Sequence, residues 1–474
     1  MFSRSIPGKL RKIVGRDAVL DRPADLMLYE YDGSLARGAP QYVVFPQSTE
    51  QVSELVKFAA REGLSIVPRG AGTGLSGGSI ARNGGIVLAF ARMNRILEID
   101  VPNLRATVQP GVVNLELSNA LAPHGFYFAP DPSSQKACTI GGNVAENSGG
   151  PHTLAYGVTV NHVTGLEVVL PDGRIAQLGG NAGSAAGYDL TGFFVGSEGT
   201  LGIATAITVK ITRLPESVAT LLAIYDNVQN AAESVVALTS AGITPAAIEM
   251  LDGWTLRAVE ASVHAGYPLD SAAVLLIEVE GLREMVEEHA EAIQALCRKS
   301  GAREVRVARD ETERQLLWKG RKTAFGAIGR ISHSYYVQDG VIPRTRIPET
   351  LAKIEEIGRK YSLTIGNIFH AGDGNLHPLI LFDSRDADQT QRTLDAGREI
   401  LEFCISVGGS ITGEHGVGME KQDLMCSLFT DSEREIMLRL RQCFNPNSLL
   451  NPEKMLPSPR LCREAVSPGH ASLG

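Results

Sequence analysis

The chain predicts an α+β protein of two or three domains, and three features of its sequence predict it. At 474 residues it is too long for one ordinary hydrophobic core. Residues 38–217 set short apolar runs between glycine-rich loops, whereas beyond Pro215 strand-like runs alternate with long helical patterns. Glycine supplies 50 residues, about a tenth of the chain against a usual share of roughly 7%. These glycines cluster at 70–85, 141–150, 173–202 and 366–418. Clustered glycine marks loops in which backbone approaches something closely, which points to a large bound cofactor.

The elements follow in order. The first sixteen residues carry Arg4, Lys9, Arg11, Lys12 and Arg16 and no acid. Leu10, Ile13 and Val14 make residues 1–37 an N-terminal segment opening on an amphipathic helix, with a transit peptide as the alternative. Residues 42–45 read as a buried strand. Residues 48–63 read as a helix, capped by Ser48 with Gln51 completing a capping box and Val52, Leu55, Val56 and Ala59 as its apolar stripe. Strands at 64–67, 86–90, 106–109, 162–170 and 203–211 complete one α+β domain over 38–217. Past Pro215, strands at 221–225, 273–279 and 304–307 alternate with helices at 228–241, 283–300 and 310–329. A helix near 348–361, strands at 364–370 and 379–382 and a helix near 387–407 repeat the pattern. Residues 218–444 are thus expected to form a small sheet with helices on one face. Two Asn-Pro turns between Asn445 and Pro452 end regular structure and open a C-terminal segment, 445–474.

Bulk properties narrow the function. A hydrophobic share of 43% and a mean hydropathy near zero describe a globular protein with an ample core. No run of 18 apolar residues is present, so no membrane span is expected. A net charge of −8 argues against nucleic acid or an anionic membrane surface as a direct partner. The six cysteines (Cys138, Cys297, Cys404, Cys426, Cys443 and Cys462) include no C-x-x-C pair. That excludes an iron–sulfur or zinc-ribbon motif of the usual spacing and fits a reducing, cytoplasmic compartment.

The most informative stretch is His370-Ala371-Gly372-Asp373-Gly374-Asn375-Leu376-His377, with Gly413-Glu414-His415-Gly416 downstream. On a helix two histidines seven apart would stand about 10.5 Å from each other, too far to share a metal. The turn-formers between them exclude a helix. With Asp373-Gly374 as a two-residue hairpin loop, 372 pairs with 375, 371 with 376 and 370 with 377. Opposed Cβ atoms then lie roughly 5 Å apart, within chelating distance. Glu414 or His415 would complete a divalent transition-metal site of N and O ligands. Zinc, manganese and iron all suit such a set.

Gly72-Thr73-Gly74-Leu75-Ser76-Gly77 matches the dinucleotide fingerprint G-x-G-x-x-G and follows a strand. The Rossmann form of that motif needs a helix starting at the loop. Here turn-formers run to Gly85 and a strand begins at Ile86, so a Rossmann domain is not expected. Consecutive side-chain-free amides from Pro68 to Gly74 nonetheless suit an anionic nest. Read from residues alone, the chain binds a phosphate-bearing cofactor through loops and a metal in a second region.

Three separated segments, PRGAGTGLSGG (68–78), DPSSQKACTIGGNVAENSGG (131–150) and GSEGTLGI (196–203), resemble the FAD-linked oxidases of the vanillyl-alcohol-oxidase and p-cresol-methylhydroxylase type. Residues 318–321, 370–377, 413–416 and 447–456 narrow the resemblance to the D-2-hydroxyacid dehydrogenase branch. It runs from about residue 20 to 457 and is strongest toward the FAD-binding subunits of bacterial glycolate oxidases, with stand-alone D-lactate dehydrogenases next. The resemblance implies a two-subdomain FAD-binding domain of the p-cresol-methylhydroxylase (PCMH) type, an α+β cap with a ferredoxin-like sheet, and a C-terminal return segment.

It also implies roles. Arg69, Gly70, Ala71, Gly72, Thr73 and Gly74 would wrap the FAD pyrophosphate. Pro130, Asp131 and Ser134 would lie along the flavin, with Gly141, Gly142 and Asn143 beside the diphosphate and Asn147, Gly149 and Gly150 nearby. Glu198, Gly199 and Ile203 would approach the adenine side, and Asn451 would join the cofactor set. Some relatives tether the flavin through a histidine in the first glycine loop. Thr73 stands about where it would fall, which implies non-covalent FAD. His370, His377 and Glu414 would hold a divalent metal near the flavin ring, with His415 facing the substrate as base and Arg321 clamping a carboxylate. The reaction implied is oxidation of a small 2-hydroxyacid, glycolate or D-lactate, by hydride transfer to flavin N5. Relatives acting on 2-hydroxyglutarate use a lysine near Tyr335-Tyr336-Val337-Gln338-Asp339; none is present here, which favours a monocarboxylate. Electrons would leave through a second flavin-domain subunit and an iron–sulfur subunit, with any attachment to the inner membrane made through such a partner, or pass to a quinone or soluble acceptor. A metallohydrolase and a non-catalytic FAD scaffold are the rival readings.

Overall fold

The structure, a computed structural model, describes residues 5–180, 186–458 and 462. Arg4 of the basic leader and most of the tail after 458 lie outside the described residues. The chain forms two compact units: Met1–Gly149, Val158–Leu214 and Glu414–Gly474 make one, Gly150–Gly157 and Pro215–Gly413 the other. The sequence texture changes at 217/218 and 444/445, whereas the units part at 214/215 and 413/414.

Among the described residues the first unit holds two larger sheets and a two-stranded one, Phe126–Tyr127 with Thr212–Arg213. In the four-stranded sheet, Tyr42–Val44, Ile86–Ala89 and Ile66–Arg69 run parallel in that order, and Val19–Leu20 pairs antiparallel with Tyr42–Val44. The helix Thr49–Glu62 connects two of these strands, with Val52, Leu55, Val56 and Ala59 fully buried. Its ends obey local chemistry. The Ser48 hydroxyl accepts from the Gln51 amide, and Gly63 leaves the helix at φ +67°. The Gln51 side chain accepts from Gln47 rather than from the cap residue, so the expected box closes one residue early. The helix Ile6–Val14 buries Leu10 and Val14 in the same core.

The second sheet has five antiparallel strands in the order Ile96–Asp100, Arg105–Val108, Ile203–Lys210, Val163–Val169 and Ile175–Gly179. Its three central strands were expected. The flanking two were not, because their largely unburied faces leave no apolar run to read. The C-terminal segment returns to the first sheet, where the amides of Ile66 and Asn451 donate to the carbonyls of Leu449 and Ile66. The Asn451 side chain then donates to the carbonyls of Gly78, at 2.9 Å, and Glu198, at 2.6 Å. The cysteines are not all thiols: Cys426 and Cys462, 36 residues apart, form a disulfide. No short spacing announces such a pair.

The second unit is built on one eight-stranded sheet rather than the small sheet expected. The two strand–helix patterns fuse because Ala247–Asp252 pairs antiparallel with Ala273–Gly281 on one side and with Thr364–His370 on the other. Strand alternation sorts its residues. Ile248, Met250, Leu275, Ile277, Phe369, Leu376 and Ile380 join one core with the helices Val228–Ser240, Arg283–Lys299, Ile347–Tyr361 and Ala387–Ser406. Glu249, Glu278, His370 and His377 alternate with them and face the other way. That face is also covered, since Arg314, Trp318 and Arg321 of the helix Glu311–Lys322 reach Glu278 and Glu249. Helices therefore lie on both faces, and the expected helix over 310–329 divides at Thr323.

Glu278 shows what holds that second face. Its carboxylate is completely buried and accepts from Arg314 at 3.0 and 3.1 Å, from the Trp318 indole at 2.6 Å and from Thr220, with His152 at 3.4 Å. Burial alone would raise its pKa, but the hydrogen bonds and charges of His152 and Arg314 together bring it down to about 2 from the usual 4.5. A carboxyl depressed on folding stabilises above its unfolded pKa, and that stability fades as pH falls from about 4.5 through about 2. The difference corresponds to about 3 kcal/mol. Glu278→Gln is expected to remove stability of that order at neutral pH and to flatten the acid limb, as checked by denaturant titrations across pH. In the other unit, Asn451→Ala leaves two buried carbonyls without donors and should cost about 1–3 kcal/mol, measured in the same way.

Candidate active site

The strands Thr364–His370 and Asn375–Phe382 form the expected hairpin in a different register. His370 faces Asn375 and His377 faces Ile368, so the connection is the four residues from Ala371 to Gly374. A two-residue type I′ loop needs positive φ at both central positions. Of Asp373 and Gly374 only the glycine has it, at +82°. Asn375 and His377 lie two apart on one strand and so share a face, which still puts the His370 and His377 rings together with centroids 5.0 Å apart. The expected proximity is met through a diagonal pair rather than a directly opposed one.

The hydrogen bonds of each ring define its tautomer. His377 Nδ1 lies 3.2 Å from the Gln338 carbonyl, which can only accept, and His370 Nδ1 lies 2.7 Å from Glu249 Oε1. Both rings therefore donate from Nδ1, which makes Nε2 the nitrogen that would ligate a metal. Asp339 is fully buried, with one oxygen 3.9 Å from His377 Nδ1. Its other oxygen accepts from the Thr412 hydroxyl at 2.5 Å and the Gly413 amide at 3.0 Å. The chain is thus pinned one residue before Glu414. Buried imidazoles and carboxylates are donors of the kind that divalent transition metals take.

Arg321 is also fully buried, with Nη2 2.5 Å from Glu249 Oε2. Its Nε and Nη1 have no hydrogen-bond acceptor among the described residues. Tyr267 fixes that helix turn by donating to the Leu317 carbonyl at 2.6 Å. Glu249 therefore links two residues named from sequence, His370 and Arg321. Phe325 stands with its ring centroid 6.5 Å from His377 and 6.4 Å from Tyr335, an aromatic flank beside the histidine.

Glu414 and His415 belong to the first unit, with His415 Nε2 4.0 Å from a Glu414 oxygen. Their segment is strapped to the glycine loops. Ser76 Oγ donates to the His415 carbonyl at 2.9 Å, and the Glu198 carboxylate accepts from the amides of Val417 and Gly418, each at 2.8 Å. Glu198 lies at φ +53° and is committed to these amides.

The remaining cofactor candidates also fall in the first unit, except Gly150, which opens the segment Gly150–Gly157 of the second. A Cβ on Gly70 would stand 2.4 Å from Thr139 Oγ1, so the first glycine loop packs directly on the turn carrying Gly141 and Gly142. At Gly74 a Cβ would meet nothing within 4 Å. Open space beside Gly74 in an otherwise close-packed loop, with Ala71 and Thr73 in the same loop, leaves room for a ligand against the backbone. Arg69 points elsewhere: its guanidinium donates to the Tyr31 carbonyl at 2.8 Å and stacks over Tyr29. Asn143 is buried and accepts from Asn114, which also donates to the carbonyl of Pro130. Asp131 and Ser134 follow Pro130 in the same partly buried loop. Asn147 takes a left-handed conformation and accepts from the Val160 amide. The Gly149 backbone is buried. Gly199 packs on Pro68, and Ile203 lies in the core with Ile66 and Leu450.

Sequence reading missed Glu249, Asp339 and Glu146. Glu249 had a signal, an acid inside the apolar run Ala-Ile-Glu-Met-Leu. Asp339 had none, since its partners lie 73 and 74 residues away. Glu146 sits where Gly78 and Gly416 lack side chains, and burial, then the charge of Glu198, raises its pKa well above the usual carboxylate range.

Comparison with known proteins gives the family. Residues 40–179 match the family described as FAD binding domain, and residues 214–455 match FAD linked oxidases, C-terminal domain. The glycolate oxidase subunit GlcD of Escherichia coli K12 is 46% identical over 456 residues, covering 96% of this chain and 91% of that protein. The probable mitochondrial D-lactate dehydrogenase of Danio rerio is 32% identical over 458 residues, covering 95% and 91%. Among solved structures, p-cresol methylhydroxylase with substrate bound aligns at a TM-score of 0.82 and 19% identity over 95% of this chain and 96% of that one, a likeness of fold. The chain belongs to the FAD-linked oxidases, with an FAD binding domain followed by the C-terminal domain of that family.

Proposed function

We propose that this protein oxidises a small 2-hydroxymonocarboxylic acid, glycolate or D-lactate, to the 2-oxoacid, using non-covalently bound FAD and a divalent metal. The observation that carries this reading is the buried Arg321 guanidinium, with two nitrogens lacking an acceptor, tied through one carboxylate to His370. A buried cation with uncommitted donors suits a substrate carboxylate, which it can bind as a charge-assisted, bidentate pair. The aromatic flank of Phe325 and Tyr335 beside His377 and the absence of lysine between Tyr335 and Asp339 favour a short, uncharged substituent.

When bound, FAD supplies the hydride acceptor and the metal supplies Lewis acidity at the substrate hydroxyl. Arg321 orients the carboxylate, which fixes the Cα–H direction. His370, His377 and Glu414 are the metal ligands of this reading, and Asp339 stands behind His377. His415 accepts the hydroxyl proton as general base. The glycine loop at 70–74 holds the FAD diphosphate, and Thr73, which offers no imidazole, leaves the flavin unattached. The naming of the GlcD relative as a subunit supports an assembly in which a second flavin-domain subunit and an iron–sulfur subunit carry electrons onward. No helix among the described residues is long and apolar enough to cross a membrane.

Anaerobic mixing with glycolate or D-lactate should bleach the flavin's visible absorbance; an FAD-loaded protein that both acids leave oxidised would refute the reaction. Acid precipitation should leave FAD in the supernatant, and flavin retained in the pellet would contradict non-covalent binding. His377→Ala is expected to lose metal and substrate-driven flavin reduction while keeping FAD, read by metal analysis and stopped flow. His415→Ala should keep metal and reduce flavin about 10²–10⁴-fold more slowly, and unchanged kinetics would remove it as the base.

A further inference from the structure

Glu249 stands opposite His370 in the antiparallel pairing of Ala247–Asp252 with Thr364–His370. It is completely buried, and its two oxygens serve different elements. One accepts from His370 Nδ1 at 2.7 Å on the neighbouring strand, and the other lies 2.5 Å from Arg321 Nη2 on the helix Glu311–Lys322. Leu251 and Leu276 flank it on the same face of the sheet and are buried, so no water-like environment screens the charge. A carboxylate in such a place must be paired, and breaking a buried pair by removing one partner is strongly destabilising. A pairing that served only stability would also satisfy Arg321. Instead Nε and Nη1 of that guanidinium remain without an acceptor among the described residues.

We infer that Glu249 is a positioning residue that joins the metal ligand and the substrate clamp into one rigid pair. Its Oε1 keeps the His370 proton on Nδ1 and so aims the Nε2 lone pair outward. Its Oε2 pairs with Nη2 of the Arg321 guanidinium and leaves the remaining N–H donors for a carboxylate. A single carboxylate thereby fixes the distance between the atom that ligates the ion and the atoms that hold the substrate anion. His377 receives its orientation from a backbone carbonyl, so Glu249 is the side chain through which this coupling runs. The inference rests on the metal reading proposed above.

The test uses FAD-loaded full-length protein stripped of metal and titrated with Zn²⁺ against a competing chelator. Glu249→Gln keeps size, accepts from at most one partner and presents an amide N–H₂ that cannot pair with the guanidinium. It is expected to weaken Zn²⁺ binding by about 10- to 100-fold, the range for a lost partner of a ligating histidine. With Zn²⁺ saturating, its KM for glycolate or D-lactate should stay raised while kcat recovers, a split that general loosening of the fold would not produce. Because removing the charge strands Arg321, Glu249→Gln is paired with the double variant Glu249→Gln/Arg321→Met, in which no buried charge is left unmatched. That variant should fold with full FAD content and show the same loss of Zn²⁺ affinity. Wild-type affinity in both variants would overturn the inference alone. A wild-type protein that binds no Zn²⁺, Mn²⁺ or Fe²⁺ would overturn the metal reading and this inference with it.

Discussion

The second unit depends on how two carboxylates are accommodated inside a β-sheet. Glu249 and Glu278 lie on the same face of neighbouring strands and are both fully buried. Charges in that position are tolerated only where matched by cations and donors. One helix supplies three of the partners: Arg314 and Trp318 reach Glu278, and Arg321 reaches Glu249. Positions 314, 318 and 321 are spaced i, i+4 and i+7, so one helical stripe presents them together. The helix is docked by polar side chains where the opposite face of the same sheet is docked by aliphatic ones. Directionality is the consequence. An apolar stripe can slide, whereas a guanidinium on a carboxylate has one register, and that register decides where Arg321 ends.

The first unit solves a different problem with a different residue. Its loops pack on one another so closely that side chains would collide: Gly70 on Thr139, Gly199 on Pro68, Gly418 on Ser76. Backbone at such density exposes amides and carbonyls that need partners. A few polar side chains supply them. Glu198 accepts two amides of the 417–418 segment, and Asn451 donates to carbonyls in two separate loops. The result is an array of loop amides held by stitching rather than by regular structure, which suits a cofactor gripped along its phosphates. Several residues carried over from the resemblance, Arg69, Asn143, Glu198 and Asn451 among them, are engaged in this stitching.

The catalytic reading brings these two solutions to one chain position. Gly413, pinned on Asp339, ends the second unit, and Glu414 begins the first. The metal ligand and the base proposed here are therefore the residues at which the chain passes from one unit to the other. Glycines on either side, Gly413 and Gly416, leave no space for side chains, so the path is set by backbone and the two functional side chains stand out from it.

Much of this was determined by the sequence itself. The helix Thr49–Glu62, the strands around it, the alternating elements past Pro215 and the glycine loops were legible because periodicity, capping and turn-formers are local. So was the closeness of His370 and His377, since the turn-formers between them exclude a helix. The tertiary structure decided what depends on residues distant in the chain. The strand Ala247–Asp252 fused two patterns into one sheet, although its central acid disguised it as something other than a buried strand. The hairpin register followed backbone dihedrals at Asp373 rather than the Asp-Gly dipeptide alone. Glu249, 121 residues from His370, and Asp339, 73 from Thr412, acquired their roles only when strands met. A local pattern can name a ligand, but the group that orients it is chosen by whichever distant strand lies alongside.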